Sequence, residues 1–434
     1  MTRSALVLAA LAPAVLLGTT SARGSAAPAA ASLRTTLPLV IIDVKRRIPD
    51  APKVPARMRI IHNPGGTNSP RERANAYDGL IGIEVRGHSS ARFPKRSYAI
   101  ETRTARRRAR NVPLLGMPRE NDWILYASYN DKSLLRNVVA HWTARQLGRY
   151  SSRTRYVELV VDGRYEGVYV LMERVKRSPR RVALSDVGLS GAYVVELSTN
   201  PRVRGKRGFF RLPVTGKPVE FYDPKRTSLR PAERAWMRRY IGQFEQALYG
   251  DAFADQANGY RRWLDVESAV DYVLLQELFK NQDALITSVF VAKGARTRLR
   301  LGPIWDFDLA MGNAYFYPAG VLEGWMLRSR PWASRLYRDP AFAAAMAARW
   351  RQLRSERLIE RMLAFVDANA RALEQPQRRN FRRWRILGSY VWPNSVDPAT
   401  GQYPPTYAAE VRLLKNWLRR RAAWLDRNIG SVGS

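Results

Sequence analysis

The sequence predicts an α+β fold of two lobes, a β-rich first half carrying one helix and a mostly helical second half. Three observations carry that expectation. Short runs with strand-like patterning fill the chain up to Glu173, and amphipathic helical spacing dominates from Pro231 onward. The 434 residues are 46% hydrophobic and 10% aromatic, enough to bury a core beneath two packed lobes.

Taken in order, Leu37 to Val44 (LPLVIIDV) and Ala56 to Ile61 read as strands. Ile81 to Arg86 and Arg96 to Glu101 form a second pair, joined by GHSSARFPK. Ser133 to Leu147 reads as a helix, because Leu134, Leu135, Val138, Val139 and Trp142 recur at helical spacing. Ser133 or Asp131 can cap its start, and Gly148 closes it. Tyr156 to Val161 and Gly167 to Glu173 meet at Asp162-Gly163, a strong hairpin signal. Helices follow at Pro231 to Tyr249 and Asp265 to Phe279, then a β-rich segment at Ile286 to Gly302, then helical patterns over Ala341 to Asn369 and Ala408 to Asn428. The expected division is 1–32 for a leader and linker, 33–190 for the β-rich lobe and 191–434 for the helical lobe.

The leader reads as an export signal. Met1-Thr2-Arg3 gives a positive start, Ala5 to Gly18 is an apolar run too short to span a bilayer, and Thr20-Ser21-Ala22 offers a cleavage site. The expected location is outside the cytoplasm, in the periplasm, on the cell surface or secreted. With no cysteine, disulfides, thiolate metal sites and cysteine nucleophiles are excluded. The charge is +36, from 73 Lys+Arg against 37 Asp+Glu, and implies acidic partners. No helix-turn-helix or RNA-binding signature accompanies it, so nucleic acid is disfavoured as the partner. Only Arg103 to Arg110 (RTARRRAR) is a dense run, expected as an exposed loop.

The residues with chemistry lie in both halves. Asp283 follows a helix in KNQD; Asp306 and Asp308 follow an apolar approach in WDFD, 23 residues after Asp283 (306 − 283), with a hairpin expected between. One carboxylate to orient an acceptor hydroxyl and one to hold Mg²⁺ against phosphates are what phosphoryl transfer requires. Capping of helices or turns is the plain alternative. In the first half, Arg86-Gly87-His88-Ser89-Ser90 with Lys95 at the mouth of the next strand suits phosphate binding; an ordinary basic hairpin is its alternative. The histidines His62, His88 and His141 have no metal spacing and read as structural, His141 half-buried. Tryptophans such as Trp123, Trp142, Trp263 and Trp305 read as core anchors. No Gly-x-Ser-x-Gly elbow or Walker loop occurs.

The segments IEVRGHSSARFPKRSYAIET, LLGMPRENDWILYASYNDKSLLRN, GRYEGVYVLMERVKR, ELFKNQDA and GPIWDFDLAMGN, in that order, resemble the signature blocks of the CotH kinase family; GAYVVELS, SRLYRDPAF and RNFRRW extend the match. The resemblance implies an atypical protein-kinase-like fold that uses ATP and Mg²⁺ or Mn²⁺ to phosphorylate Ser or Thr of secreted or envelope proteins. It implies Asp283 as the catalytic aspartate, Asp306 as the metal-binding aspartate and Lys95 as a phosphate-binding lysine. Glu173 would lie at the hinge near the adenine, with Arg86 and Ser90 as further phosphate contacts.

Two departures stand against the general kinase pattern. The helix at Ser133 to Gly148 offers no acidic partner for Lys95, leaving Asp131 or Glu173. The position five residues after Asp283 is Ser288 rather than Asn, so a second metal would turn to Asp308, Asn313 or water. A weakly active or inactive surface-binding module on the same fold, and another ATP-dependent transferase, are the alternative functions.

Overall fold

Strand runs with Val and Ile on both faces need cover on both faces, and here a closed barrel and its wrapping supply it. The computed structural model describes residues 30–185, 188–199 and 209–433. The expected export leader lies outside the described residues. The barrel strands are β1 (Leu39–Asp43), β2 (Val54–Ile61), β3 (Tyr77–Arg86), β4 (Ser97–Arg103), β7 (Asp122–Tyr126), β8 (Thr154–Val161) and β9 (Arg164–Glu173). Their order is β1-β2-β3-β4-β7-β9-β8, with β1 running parallel to β8 to close the ring. Val40, Ile42, Met58, Ile60, Trp123 and Leu171 fill the interior, while Leu39 and Ile41 pack outward with Val160 and Tyr165. Asp162 and Gly163, at φ +46° and +75°, make the expected two-residue turn, with Val161 opposite Arg164. A small hairpin, β5 (Val112–Leu114) and β6 (Met117–Glu120), and β7 were not foreseen from the sequence. Of the Arg103 to Arg110 run, Ala105 to Arg110 is exposed as expected, while Arg103 is half-buried and ends β4.

A second sheet, ordered β11-β12-β10-β13-β14, shares a cleft with the β3, β4 and β7 side of the barrel. Its strands are β10 (Tyr193–Leu197), β11 (Phe209–Arg211), β12 (Pro218–Asp223), β13 (Val289–Lys293) and β14 (Arg300–Leu301). The expected hairpin between Asp283 and Asp306 is thus part of a five-stranded sheet, Val291 pairing with Leu301. Around it lie α1 (Arg136–Gln146), α2 (Pro231–Tyr249), α3 (Val266–Phe279), the single turn α4 (Ala333–Leu336), α5 (Pro340–Ser355), α6 (Leu358–Ala372), α7 (Glu374–Arg383) and α8 (Tyr407–Asn428). The molecule is α+β, and its order of elements is kinase-like. Among the described residues no helix is long and apolar enough to cross a membrane.

Two helical expectations change. The stretch Ala341 to Asn369 is two helices, with Arg357 at φ +55° between them. The reason is phase. Leu353 ends the buried stripe of α5, and Leu358, the first buried residue of α6, would sit about 140° further round a continuous helix. The chain turns so that both stripes reach the core. The helix α1, expected within the first lobe, adds Val138, Val139 and Ala140 to the large core shared with the helices, its Trp142 stacked on Phe365 of α6 at 4.7 Å.

Candidate active site

The helix α3 is anchored at both ends. The Asp265 carboxylate accepts from the Ser268 N–H at 2.9 Å, and Lys280 ends the helix in the left-handed region, its Nζ donating to the Glu323 carbonyl at 2.5 Å. A tight turn follows. The Asp283 N–H donates to Asn281 Oδ1 at 3.2 Å, and the Asp283 carbonyl accepts from Ile286 and Thr287 at 3.0 and 3.1 Å. With its backbone so held, the Asp283 carboxylate lines the cleft between barrel and second sheet.

The turn after β14 presents the next two carboxylates. Phe307 is fully buried, edge-on to Phe279 at 5.7 Å, and its N–H donates to Asn137 of α1 at 2.9 Å. This anchor turns Asp306 and Asp308 toward the cleft. Ser288 Oγ donates to Asp306 Oδ2 at 3.1 Å, and Asn130 Nδ2 donates to Asp308 Oδ2 at 2.7 Å. Lys280, Leu285, Ser288, Asp306 and Met311 all have φ between 45° and 65°. Left-handed backbone at five non-glycine positions in one short span, a leucine among them, is the strain that functional sites concentrate.

The barrel contributes the loop after β3. Gly87 sits at φ +114°, where a Cβ would fall 2.2 Å from Ser90 Oγ, so only glycine permits this close turn. Arg86, His88, Ser89 and Ser90 line the deep pocket opposite the three aspartates. The Arg86 guanidinium lies 5.2 Å from the centre of the Trp305 ring. Burial lowers its basicity, while Tyr222, Asp306 and Glu196 oppose that shift. The wider cleft has a volume of about 760 Å³.

Like charges in a sheltered space dominate its electrostatics. Burial first, and then the Asp306 carboxylate, push Asp283 up to about 7, against a weaker pull from Arg330. Burial, Asp306 and Asp283 together hold Asp308 well above the ordinary carboxylate range. Glu196, directly across from Glu220 in the second sheet, is pushed up to about 8 by burial and by that neighbour.

The structure brings Asp283, Asp306, Asp308, Arg86 and Ser90 to this one cleft and takes three expected site residues elsewhere. Lys95 is 2% exposed, and its Nζ donates to the Val168 carbonyl at 2.5 Å and to Asn380 Oδ1 at 2.9 Å. It fastens β9 to α7, and burial lowers it to about 7. Arg86 is the cation that acts on Asp306 instead, and Arg330 the one that acts on Asp283. Glu173 is fully buried at the end of β9 and binds Arg153 through both the N–H (2.9 Å) and Nη1 (3.0 Å), so it braces the strand end away from the cleft. Asp131 pairs with Arg136 at 2.7 Å, so neither carboxylate expected as a partner of Lys95 serves it. Asn313 uses its amide N–H groups on the carbonyls of Asn130 (3.0 Å) and Asp308 (2.6 Å), and its oxygen accepts from Asn394 at 3.1 Å. It braces the Asp308 turn rather than facing a metal. His141 is fully buried rather than half-buried, hydrogen-bonded to Ser151 at 2.6 Å and lowered to about 3 by burial.

Sequence reasoning missed Arg174, Glu196, Glu220 and Tyr222, all of which line the cleft. Glu196 carried a usable signal, a lone acid inside the apolar strand YVVEL. The correction at Lys95 gives a direct test. Lys95→Met should lower the unfolding free energy by about 1–3 kcal/mol, the cost of leaving buried acceptors unmade, while nucleotide affinity stays unchanged. Denaturant titration beside nucleotide binding measures both, and the opposite pattern would return Lys95 to the phosphates.

Two lobes about a cleft, with carboxylates on one wall and a glycine-hinged basic loop on the other, define a kinase-like protein. A family model described as CotH kinase protein matches residues 83–425, most of the chain, and the chain belongs to that family. The comparison with curated proteins finds no match.

Proposed function

We propose that this protein is an ATP-dependent kinase that transfers the γ-phosphoryl group to Ser or Thr of exported or cell-envelope proteins. The observation that carries the reading is the meeting of Asp283, Asp306 and Asp308 with the Arg86–Ser90 loop in one cleft. The family's use of ATP and a divalent metal agrees with it. The leader expected at Met1 to Ala22 supports action outside the cytoplasm, and the +36 charge supports acidic protein targets.

The donor set fits Mg²⁺ or Mn²⁺. Burial and the neighbouring Asp306 carboxylate disfavour charge on Asp308, a repulsion that a bound cation would relieve. Among the described residues no group of three or more His, Cys, Asp or Glu side chains could hold a metal alone, which suits an ion held by one or two carboxylates together with substrate phosphates. Bound there, the ion would neutralise charge on the phosphoryl oxygens. Ser288 and Asn130 orient the two carboxylates. Arg86 and the N–H groups of the Gly87–Ser90 turn face the phosphates from the barrel side. Asp283, held by its turn, accepts the proton of the acceptor hydroxyl and aligns its oxygen for in-line attack.

The raised Asp283 sets a pH dependence. A base works only when deprotonated, so turnover should climb with pH through a midpoint above the ordinary aspartate range. That midpoint should lie below about 7, because bound cation offsets the push from Asp306. A pH–rate profile at saturating Mg²⁺ checks this; a flat profile between pH 5 and 8 would contradict it.

The reading itself is tested by incubating the protein with Mg²⁺, an acidic protein such as casein, and ATP labelled at the γ or the α position. Label entering from γ alone supports kinase activity. Entry from α shifts the assignment to nucleotidyl transfer, and failure to bind nucleotide leaves a binding module.

A further inference from the structure

A second cavity lies behind the catalytic segments, on the side away from the phosphate loop. Its volume is about 270 Å³, and its walls mix cationic and apolar side chains. Arg149, Arg181 and Arg300 line it, with Tyr150, Leu275 and Ile304 among the walls. No acidic side chain is among its lining residues.

Arg181 is the telling residue. It is 3% exposed, yet its Nε and Nη2 have no hydrogen-bond partner. Its Nη1 donates to the carbonyls of Asp122 and Arg174, both at 2.9 Å, its Nε is ion-paired with Glu173 at 3.6 Å, and the guanidinium lies 5.0 Å over the Trp123 ring. The Nη2 group has neither hydrogen bond nor ion pair, and a buried donor left idle is costly unless something fills it. Burial lowers Arg300, Asp265 opposes that shift, and Arg149 adds a smaller repulsion. Arg149 is tied to Asp271 at 2.5 Å, whereas Arg300 makes one bond, to the Ala183 carbonyl at 3.0 Å. Three arginines around one small cavity form a set of planar donors matched to an oxyanion.

We propose that this cavity is a binding site for a small organic anion, a phosphate or carboxylate head on an apolar stem, distinct from the catalytic cleft. The head sits among the three guanidinium groups and the stem lies against Leu275 and Ile304. The placement gives such a ligand leverage. Leu275 is on α3, whose end carries Asp283, and Arg300 to Ile304 runs directly into Trp305-Asp306. One ligand would touch both segments that set the aspartates, from behind.

Calorimetric titration of the full chain with phenyl phosphate and with benzoate tests the site and separates the two heads. The comparison variants are Arg300→Gln and the cleft variant Arg86→Gln. Binding of at least one probe by the wild type and by R86Q, and at least tenfold weaker binding by R300Q, is the expected result. Ala183→Trp, a substitution at an exposed position on the cavity wall, should block the same probe by bulk and covers a failure of R300Q to fold. Equal binding by wild type, R300Q and A183W would overturn the proposal. So would loss in R86Q with retention in R300Q, or no binding of either probe.

Discussion

Asp306→Asn is expected to reduce phosphoryl transfer about a thousandfold or more, equivalent to about 4 kcal/mol of transition-state stabilisation, without loss of folding. Asparagine is the informative replacement because Asp306 has φ +65°, a conformation that asparagine accepts and alanine resists. The amide oxygen can still accept from Ser288 Oγ, so the turn is kept. What disappears is one negative charge facing Asp283, Asp308 and Arg86. Removing it takes away a metal-holding charge and relieves repulsion at the same time. The variant should therefore unfold at an equal or higher temperature than the parent, and the metal-free Asp283 should titrate lower. Turnover, melting temperature and Mg²⁺ binding measured together test the assignment. A variant that melts earlier and keeps its turnover would reduce Asp306 to a turn-capping residue.

Glu277→Gln should produce the largest loss of stability, about 3–5 kcal/mol, the usual penalty for stranding one member of a buried ion pair. Glu277 and Arg421 are both fully buried, with Nη2 and Oε2 3.1 Å apart. The carboxylate also accepts from the N–H groups of Met326 and Leu327 and from the Tyr337 hydroxyl, each at 2.8 Å. An amide cannot accept all of these, because its NH₂ would face donors. Arg421 in turn caps the carbonyls of Glu277, Leu322 and Gly324. Replacing both partners by Leu and Met should not recover the loss, because the N–H groups of Met326 and Leu327 and the carbonyls that Arg421 caps would then be buried without partners. Denaturation midpoints of the two variants decide the matter. A loss below about 1 kcal/mol for the single variant would show that water reaches the pair.

The parts of this molecule legible in its sequence are those written in neighbouring residues. Asp162-Gly163 announced its turn because both residues tolerate positive φ, and Pro231 and Gly250 bracket α2 where the sequence expected it. Asp283 and Asp306 stood out as polar breaks at the ends of apolar runs. The residues misread were those whose partners lie far along the chain. Lys95 resembled a phosphate ligand because nothing near it revealed Asn380, 285 residues later, as its acceptor. The turn at Arg357 was hidden for a similar reason, since no glycine or proline marks it and only the packing of two stripes on a shared core requires it.

That long-range fastening has a consequence for synthesis. The helix α7 reaches back to grip the barrel through Asn380 on Lys95 and Val168, Arg379 on Glu158, and Trp384 on the Glu166 carbonyl. A ribosome releases the barrel strands long before these residues exist, so the nascent barrel waits with Glu158 lacking its arginine and Lys95 lacking Asn380. A stop codon between positions 302 and 374 should therefore yield a product that proteases clear, although all its strands are complete. The early half of this polypeptide is finished only by the last fifth.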